Sequence, residues 1–213
     1  MILLTDIDYF RQKQSTQPGV YDLVKRTLDE SDENDSAELQ RRLLTLQRIK
    51  GTEHLRQCGN FVAEVLAYDA LKQDGKNPHW LPESNNGKKM PDIEYGDPSR
   101  PVEVKHLNNP HDEHEALAAG KLHGGMVDPF YYKHLEKKVN DLVNDAIQKF
   151  KAYKTNGTPD GILYLFFTKS SEAMVAELFP GATTMKDRIT LMAQSVIGPE
   201  VTLIVQDING TGL

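Results

Sequence analysis

The sequence predicts an α/β protein in which helices flank a central mixed β-sheet. Three observations lead there. Short stretches around His79–Leu81, Asp92–Tyr95 and Pro101–His106 have strand length, and turn residues punctuate them at Gly87, Gly96-Asp97-Pro98 and Asn108-Asn109-Pro110. A helical repeat runs from about Tyr132 to Tyr153, with Leu135, Val139, Leu142, Ala146, Ile147 and Phe150 on one face. Ile162 to Thr168 is a continuous apolar run, the pattern of a strand buried on both faces. Strands interleaved with helices in this order imply an α/β sandwich.

In chain order, residues 1–50 read as a small helical extension and residues 51–213 as the core. Asp22–Glu30 and Ala37–Ile49 have helical composition, and the acidic stretch 29–36 between them reads as a solvated loop. Leu39, Leu43, Leu44 and Leu46 give the second of these helices an apolar stripe. Gly59-Asn60 predicts the start of the next helix, with Asn60 as its N-cap and Phe61 to about Gln73 as its body. Gly75 and Pro78 end it. Residues 107–130, rich in His, Gly and Asn, have no clear period. Asn156-Gly157 and Pro159 stop the long helix, one or two helices are expected over 171–194, and Val201–Gln206 makes a last strand.

The chain has 213 residues, 38% of them hydrophobic and 26% charged, which suits one folded core and excludes a disordered polypeptide. No apolar run reaches the length of a membrane span. A single cysteine, Cys58, excludes an intramolecular disulfide framework, and with the absence of a secretory pattern in Met1–Asp8 it predicts a cytoplasmic protein. The net charge of −6 counts against a protein that coats nucleic acid non-specifically. It does not count against an enzyme that acts on nucleic acid, because a metal site needs clustered carboxylates.

The chemistry concentrates in residues 90–106. Alternation along a strand puts Glu103 and Lys105 on one face and Val102 and Val104 on the other. A return across Gly96-Asp97-Pro98 brings Asp92 beside Glu103. Two adjacent carboxylates repel unless a proton or a cation lies between them. Oxygen-only ligands of this kind suit Mg²⁺, with Mn²⁺ as a substitute, and Lys105 would stand next to the attacking water. The simpler alternative is an exposed cross-strand ion pair, which contributes little.

Pro91-Asp92 followed by Glu103-Val104-Lys105 resembles the motif of the PD-(D/E)xK nuclease superfamily, over roughly residues 59–168. The resemblance implies a restriction-endonuclease-like sandwich with a core of helix, three strands, helix and strand. It implies Asp92, Glu103 and the backbone carbonyl of Val104 as metal ligands, and Lys105 as the group that orients or activates water. It also implies a glutamate on the first core helix, a place that Glu64 fits. Glu64 shares a stripe with Phe61, Tyr68 and Leu71 and needs a partner there, for which a metal at the sheet edge would serve. The activity implied is phosphodiester hydrolysis in nucleic acid, DNA first, with RNA and a non-catalytic binding or assembly module as alternatives. Family members often dimerise, so a homodimer is expected by analogy.

Further residues are candidates for substrate contact. His106 adjoins Lys105 and has an ordinary pKa near neutrality. Lys121, Lys137 and the other lysines of the long helix (Lys133, Lys138, Lys149, Lys151, Lys154) would line a phosphate-binding face, or simply a solvated one. Gln148 lies one position off the Gln-x-x-x-Tyr pattern of one branch of the superfamily. Glu94 reads as a spare ligand or a solvent-exposed residue. His106, His111, His114 and His123 raise a zinc reading, which the lack of a neighbouring cysteine disfavours. Cys58 reads as structural.

Overall fold

Residues 161–167 form a strand in which every residue is buried, paired on both sides with parallel strands. The computed structural model describes residues 2–82, 89–107, 129–154, 157, 159–167 and 184–208, with backbone only at 52 and 129–134. In chain order the helices and strands are α1 (Asp8–Thr16), α2 (Pro18–Glu30), α3 (Glu33–Arg48), α4 (Gly51–Gln73), β1 (Pro78–Trp80), β2 (Ile93–Tyr95), β3 (Arg100–Leu107), α5 (Pro129–Tyr153), β4 (Gly161–Phe167), α6 (Met185–Gln194) and β5 (Val201–Asp207). The protein is therefore α/β, and the strand order is β1-β2-β3-β4-β5. The first three strands are antiparallel, and β3, β4 and β5 run parallel. No described helix is long and apolar enough to cross a membrane.

The sheet separates two apolar clusters, as the period of two requires. Val102, Val104, Ile162, Tyr164 and Phe166 face one way and join α4 and the N-terminal helices, through Leu4, Phe10, Val24, Leu39, Leu43 and Phe61. Leu107, Leu163, Leu165 and Phe167 face the other way and pack on Val139, Val143, Ala146 and Phe150 of α5 and on α6. Residues 1–50 thus bury their apolar stripe in the same cluster as the sheet.

The expected strands stand within a residue or two of their predicted positions. The helices differ more. The acidic stretch 29–36 is largely helical, because Asp32 caps α3 by accepting from Asp35 N–H (2.9 Å), and Glu33 and Asp35 favour the positive end of its first turn. Helix α1 had no predicted counterpart, for it is polar and buries only Phe10. Helix α4 begins at Gly51, not at Asn60. A glycine inside a helix costs about 1 kcal/mol, and the burial of Cys58, Phe61 and Val62 around Gly59 offsets that. Of the helices expected over 171–194, α6 is described, and 168–183 lie outside the described residues.

Geometry requires glycine at two positions around β3. Gly96 has φ +78 in the turn from β2 to β3, a conformation that L side chains rarely adopt. At Gly161 a Cβ would come within 2.8 Å of the Pro101 carbonyl oxygen and of the Phe150 ring, where β3, β4 and α5 meet. Gly161→Ala therefore pushes on backbone as well as on a core aromatic ring. It is expected to lower unfolding free energy by about 1–3 kcal/mol in urea denaturation. An unchanged denaturation midpoint would show that this junction yields freely.

Candidate active site

Strand β3 outruns β2. Only Arg100, Pro101 and Val102 of β3 pair with β2, and the chain diverges at Asp92. Asp92 N–H still donates to Val102 O (3.1 Å), and beyond that point the side chain replaces the backbone: Val104 N–H donates to Asp92 Oδ2 (2.8 Å). This holds the Asp92 carboxylate against β3, next to the position from which Glu103 projects.

Glu103 and Lys105 share a face, as alternation requires. That face is covered by α5, and Glu103 has 0% exposure, so the exposed ion-pair alternative does not describe it. Two ammonium groups meet one carboxylate oxygen: Lys105 Nζ lies 2.7 Å and Lys149 Nζ 2.6 Å from Glu103 Oε1. The other oxygen, Oε2, is buried without a hydrogen-bond partner among the described residues. Lys149 Nζ also lies 3.8 Å from Asp92 Oδ1. Burial, with the Asp92 charge adding to it, pushes the Glu103 carboxyl up, and the two ammonium groups pull it back. For Lys149, burial works against the charge, but Asp92 and Glu103 outweigh it and raise its pKa.

Helix α5 reaches the site through residues four apart. Asp145 accepts from Lys105 Nζ (2.8 Å) and from Lys89, Lys149 meets Glu103 and Asp92, and Tyr153 donates to Glu94. This i, i+4, i+8 row flanks the apolar stripe of Ala146 and Phe150. Glu94 is thus neither a spare ligand nor a solvated residue, for Ser99 Oγ also donates to it (2.7 Å). Gln148, next to Lys149, and Lys137, eight residues before Asp145 on the same helix, are exposed. Lys154, just past α5, donates to Ser99 O (3.1 Å) and Lys149 meets Glu103, so the lysines read along the long helix do not all line one phosphate-binding face.

Glu64 does have the partner its apolar stripe demands, and it is a guanidinium. Arg42 of α3, 7% exposed, pairs with Glu64 and also with Glu38 (2.9 Å). It donates to Leu81 O (2.9 Å) and lies 5.0 Å from the centre of the Trp80 ring. Burial opposes its charge, while Glu64 and then Asp92 hold that charge in place. His106 is pulled down to about 4 by burial and by Lys138, so its imidazole is neutral at pH 7. Cys58 is buried and its thiol is pushed up to about 12, which fits a structural role. Lys121, His111, His114 and His123 lie outside the described residues.

Among the described residues, the three candidate ligands whose atoms all meet within 4.8 Å are Asp32, Asp35 and His79, a group with no forewarning in the sequence. These could hold a cation, but each oxygen-bearing group has structural work. Asp32 caps α3, and the buried Asp35 accepts from Trp80 N–H (2.7 Å) and Tyr68 Oη (2.9 Å).

The residues that sequence reasoning missed are Arg42 and Asp145, together with the specific place of Lys149. Only the spacing of Asp145, Lys149 and Tyr153 beside the apolar stripe signalled the two on α5, and nothing in the sequence signalled Arg42. No family model, curated protein or solved structure matches the chain.

Two outcomes follow for the ion pairs. Arg42→Ala leaves Glu64 and Glu38 without their shared partner and is expected to cost about 3 kcal/mol in chemical denaturation, with Glu64→Gln restoring part of the loss. A loss below about 0.5 kcal/mol would mean that the pair is solvated. Asp145 is lowered from 3.8 to about 2: burial opposes this, and Lys105 and Lys89 outweigh it. A lowered carboxylate contributes stability above its unfolded pKa and loses it as pH falls through its folded one. Between pH 4 and pH 2 the melting temperature of the protein should therefore fall more steeply than that of Asp145→Asn. Parallel curves would count against the assignment.

Proposed function

We propose that the chain is a metal-dependent nuclease with a restriction-endonuclease-like core, which hydrolyses phosphodiester bonds in nucleic acid, DNA in preference. The carrying observation is the convergence of Asp92, Glu103 and Lys105 where β2 leaves β3, in a carboxylate pair with one buried oxygen unpartnered. The element order α4, β1–β2–β3, α5, β4 supports it, since it follows the helix, three strands, helix, strand of the superfamily that the Pro91-Asp92 and Glu103-Val104-Lys105 motif resembles.

The donor set fits Mg²⁺, with Mn²⁺ as a substitute: the groups are all oxygens, and Glu103 Oε2 is a buried acceptor without a hydrogen-bond partner among the described residues. Asp92 and Glu103 would hold the ion, with the Val104 carbonyl beside them; Glu64, paired with Arg42, would join the set only by giving up that guanidinium. When bound, the ion supplies Lewis-acid polarisation of a phosphoryl oxygen and a water of lowered pKa. Lys105, tethered by Asp145, would hold that water in line and offset charge that develops in the transition state. Neutral His106 can accept a proton but has none to spare as a cation. Lys137 and Gln148, exposed on α5, are available to the substrate backbone, a role proposed also for Lys121, which lies outside the described residues. Two copies acting together would cut both strands of a duplex.

One observation favours a second reading, a nucleic-acid-binding or assembly module without catalysis. The carboxylates are already neutralised from within by Lys105, Lys149 and Arg42. The two readings part in an incubation with supercoiled plasmid, linear duplex, single-stranded DNA and RNA, in Mg²⁺, Mn²⁺ or EDTA. The nuclease gives metal-dependent cleavage that falls at least about a hundredfold in Asp92→Asn and in Lys105→Ala. Binding of the same substrates without cleavage, unaltered in both variants, would leave the module. Cleavage confined to RNA would redirect the substrate assignment.

A further inference from the structure

We propose that the ammonium of Lys149 is a resident cation of this site, exchanged for the divalent ion when metal binds, so that Lys149 sets the metal affinity. The inference rests on the metal-dependent reading above and adds a residue that the motif does not contain.

Position is the first argument. Lys149 Nζ bridges Asp92 Oδ1 (3.8 Å) and Glu103 Oε1 (2.6 Å), one oxygen from each of the two carboxylates that would hold metal. A cation and this ammonium cannot share that space without strong repulsion. The second argument compares the three cations around the site. Arg42 is anchored by Glu38, Glu64 and the Leu81 carbonyl, and Lys105 keeps Asp145 as a second partner. Lys149 has hydrogen bonds and ion pairs to the two ligand carboxylates only, among the described residues. Among the described residues it is therefore the cation whose departure breaks no contact beyond the two ligand carboxylates. The third argument is stability. Without Lys149, a fully buried Glu103 loses one of its two ammonium partners, so the metal-free fold depends on it. A single long side chain thus keeps the empty site folded and gives way when the ion arrives.

The test is calorimetric titration of Mn²⁺ into the full chain stripped of metal, as wild type, Lys149→Met and Lys149→Gln, with melting temperatures in EDTA and in Mn²⁺. Both variants are expected to bind Mn²⁺ at least about tenfold more tightly than the wild type. They should melt lower than the wild type in EDTA and gain more from Mn²⁺. Lys149→Gln keeps a polar group beside Glu103 and decides the matter if Lys149→Met does not fold. Mn²⁺ binding by wild type and variants with equal affinity, or weaker binding in the variants, would overturn the exchange and leave the metal-dependent reading standing. No binding to any of the three proteins would overturn both. Binding to the variants alone would overturn the exchange, because Lys149 would then exclude the ion rather than give way to it.

Discussion

A carboxylate with no exposure sits on the central strand of this sheet, and most of the polar architecture follows from the need to compensate it. Desolvating an ion costs several kcal/mol even after relaxation, and neighbouring apolar side chains return none of it. Glu103 is accordingly met by two ammonium groups. One of these, Lys105, is shared with Asp145, which is shared in turn with Lys89. Each link passes part of the charge outward to a more exposed residue. The chain of pairs fixes which face of α5 lies on the sheet, something the apolar stripe alone specifies loosely.

The same constraint recurs on the opposite face. Glu64 interrupts a helix whose residues from Phe61 to Tyr68 are otherwise buried, and Arg42 answers it from α3. Asp35, about two turns earlier on α3, takes the Trp80 N–H and the Tyr68 hydroxyl, and the Tyr68 and Trp80 rings stack at 5.0 Å. Helix α3 is therefore coupled to α4 and β1 by polar groups as well as by Leu39 and Leu43. A change in the N-terminal helices would be felt at Glu64.

Much of this was legible in the sequence, and the limits have physical causes. The period of two put Glu103 and Lys105 on one face, and the apolar run located β4. Alternation carries no information about the layer stacked above a strand, so a face that reads as solvated is covered by α5. The pattern also marked Glu64 as needing a partner. It could not name Arg42, which stands 22 residues away and owes its position to α3 packing. The start of α4 was misplaced because a local signal, Gly59-Asn60, was outweighed by burial that is settled only in three dimensions. Lys149 was visible as one lysine among several. What distinguishes it is a spacing of four from Asp145 and Tyr153, a signal too common on amphipathic helices to weigh alone.

That row of acid, ammonium and phenol along α5 has a mechanical consequence. One turn of helix is about 5.4 Å, and apolar stripes built on a repeat of three and four can slide by a turn and still find apolar neighbours. The polar row cannot. A slip of one turn in one direction would bring Lys149 against Lys105, and a slip in the other would bring Asp145 against Glu103. Both errors set like charges together where little water can screen them. The row works as a key with its teeth cut in alternating sign, and it leaves the helix a single seat on the sheet.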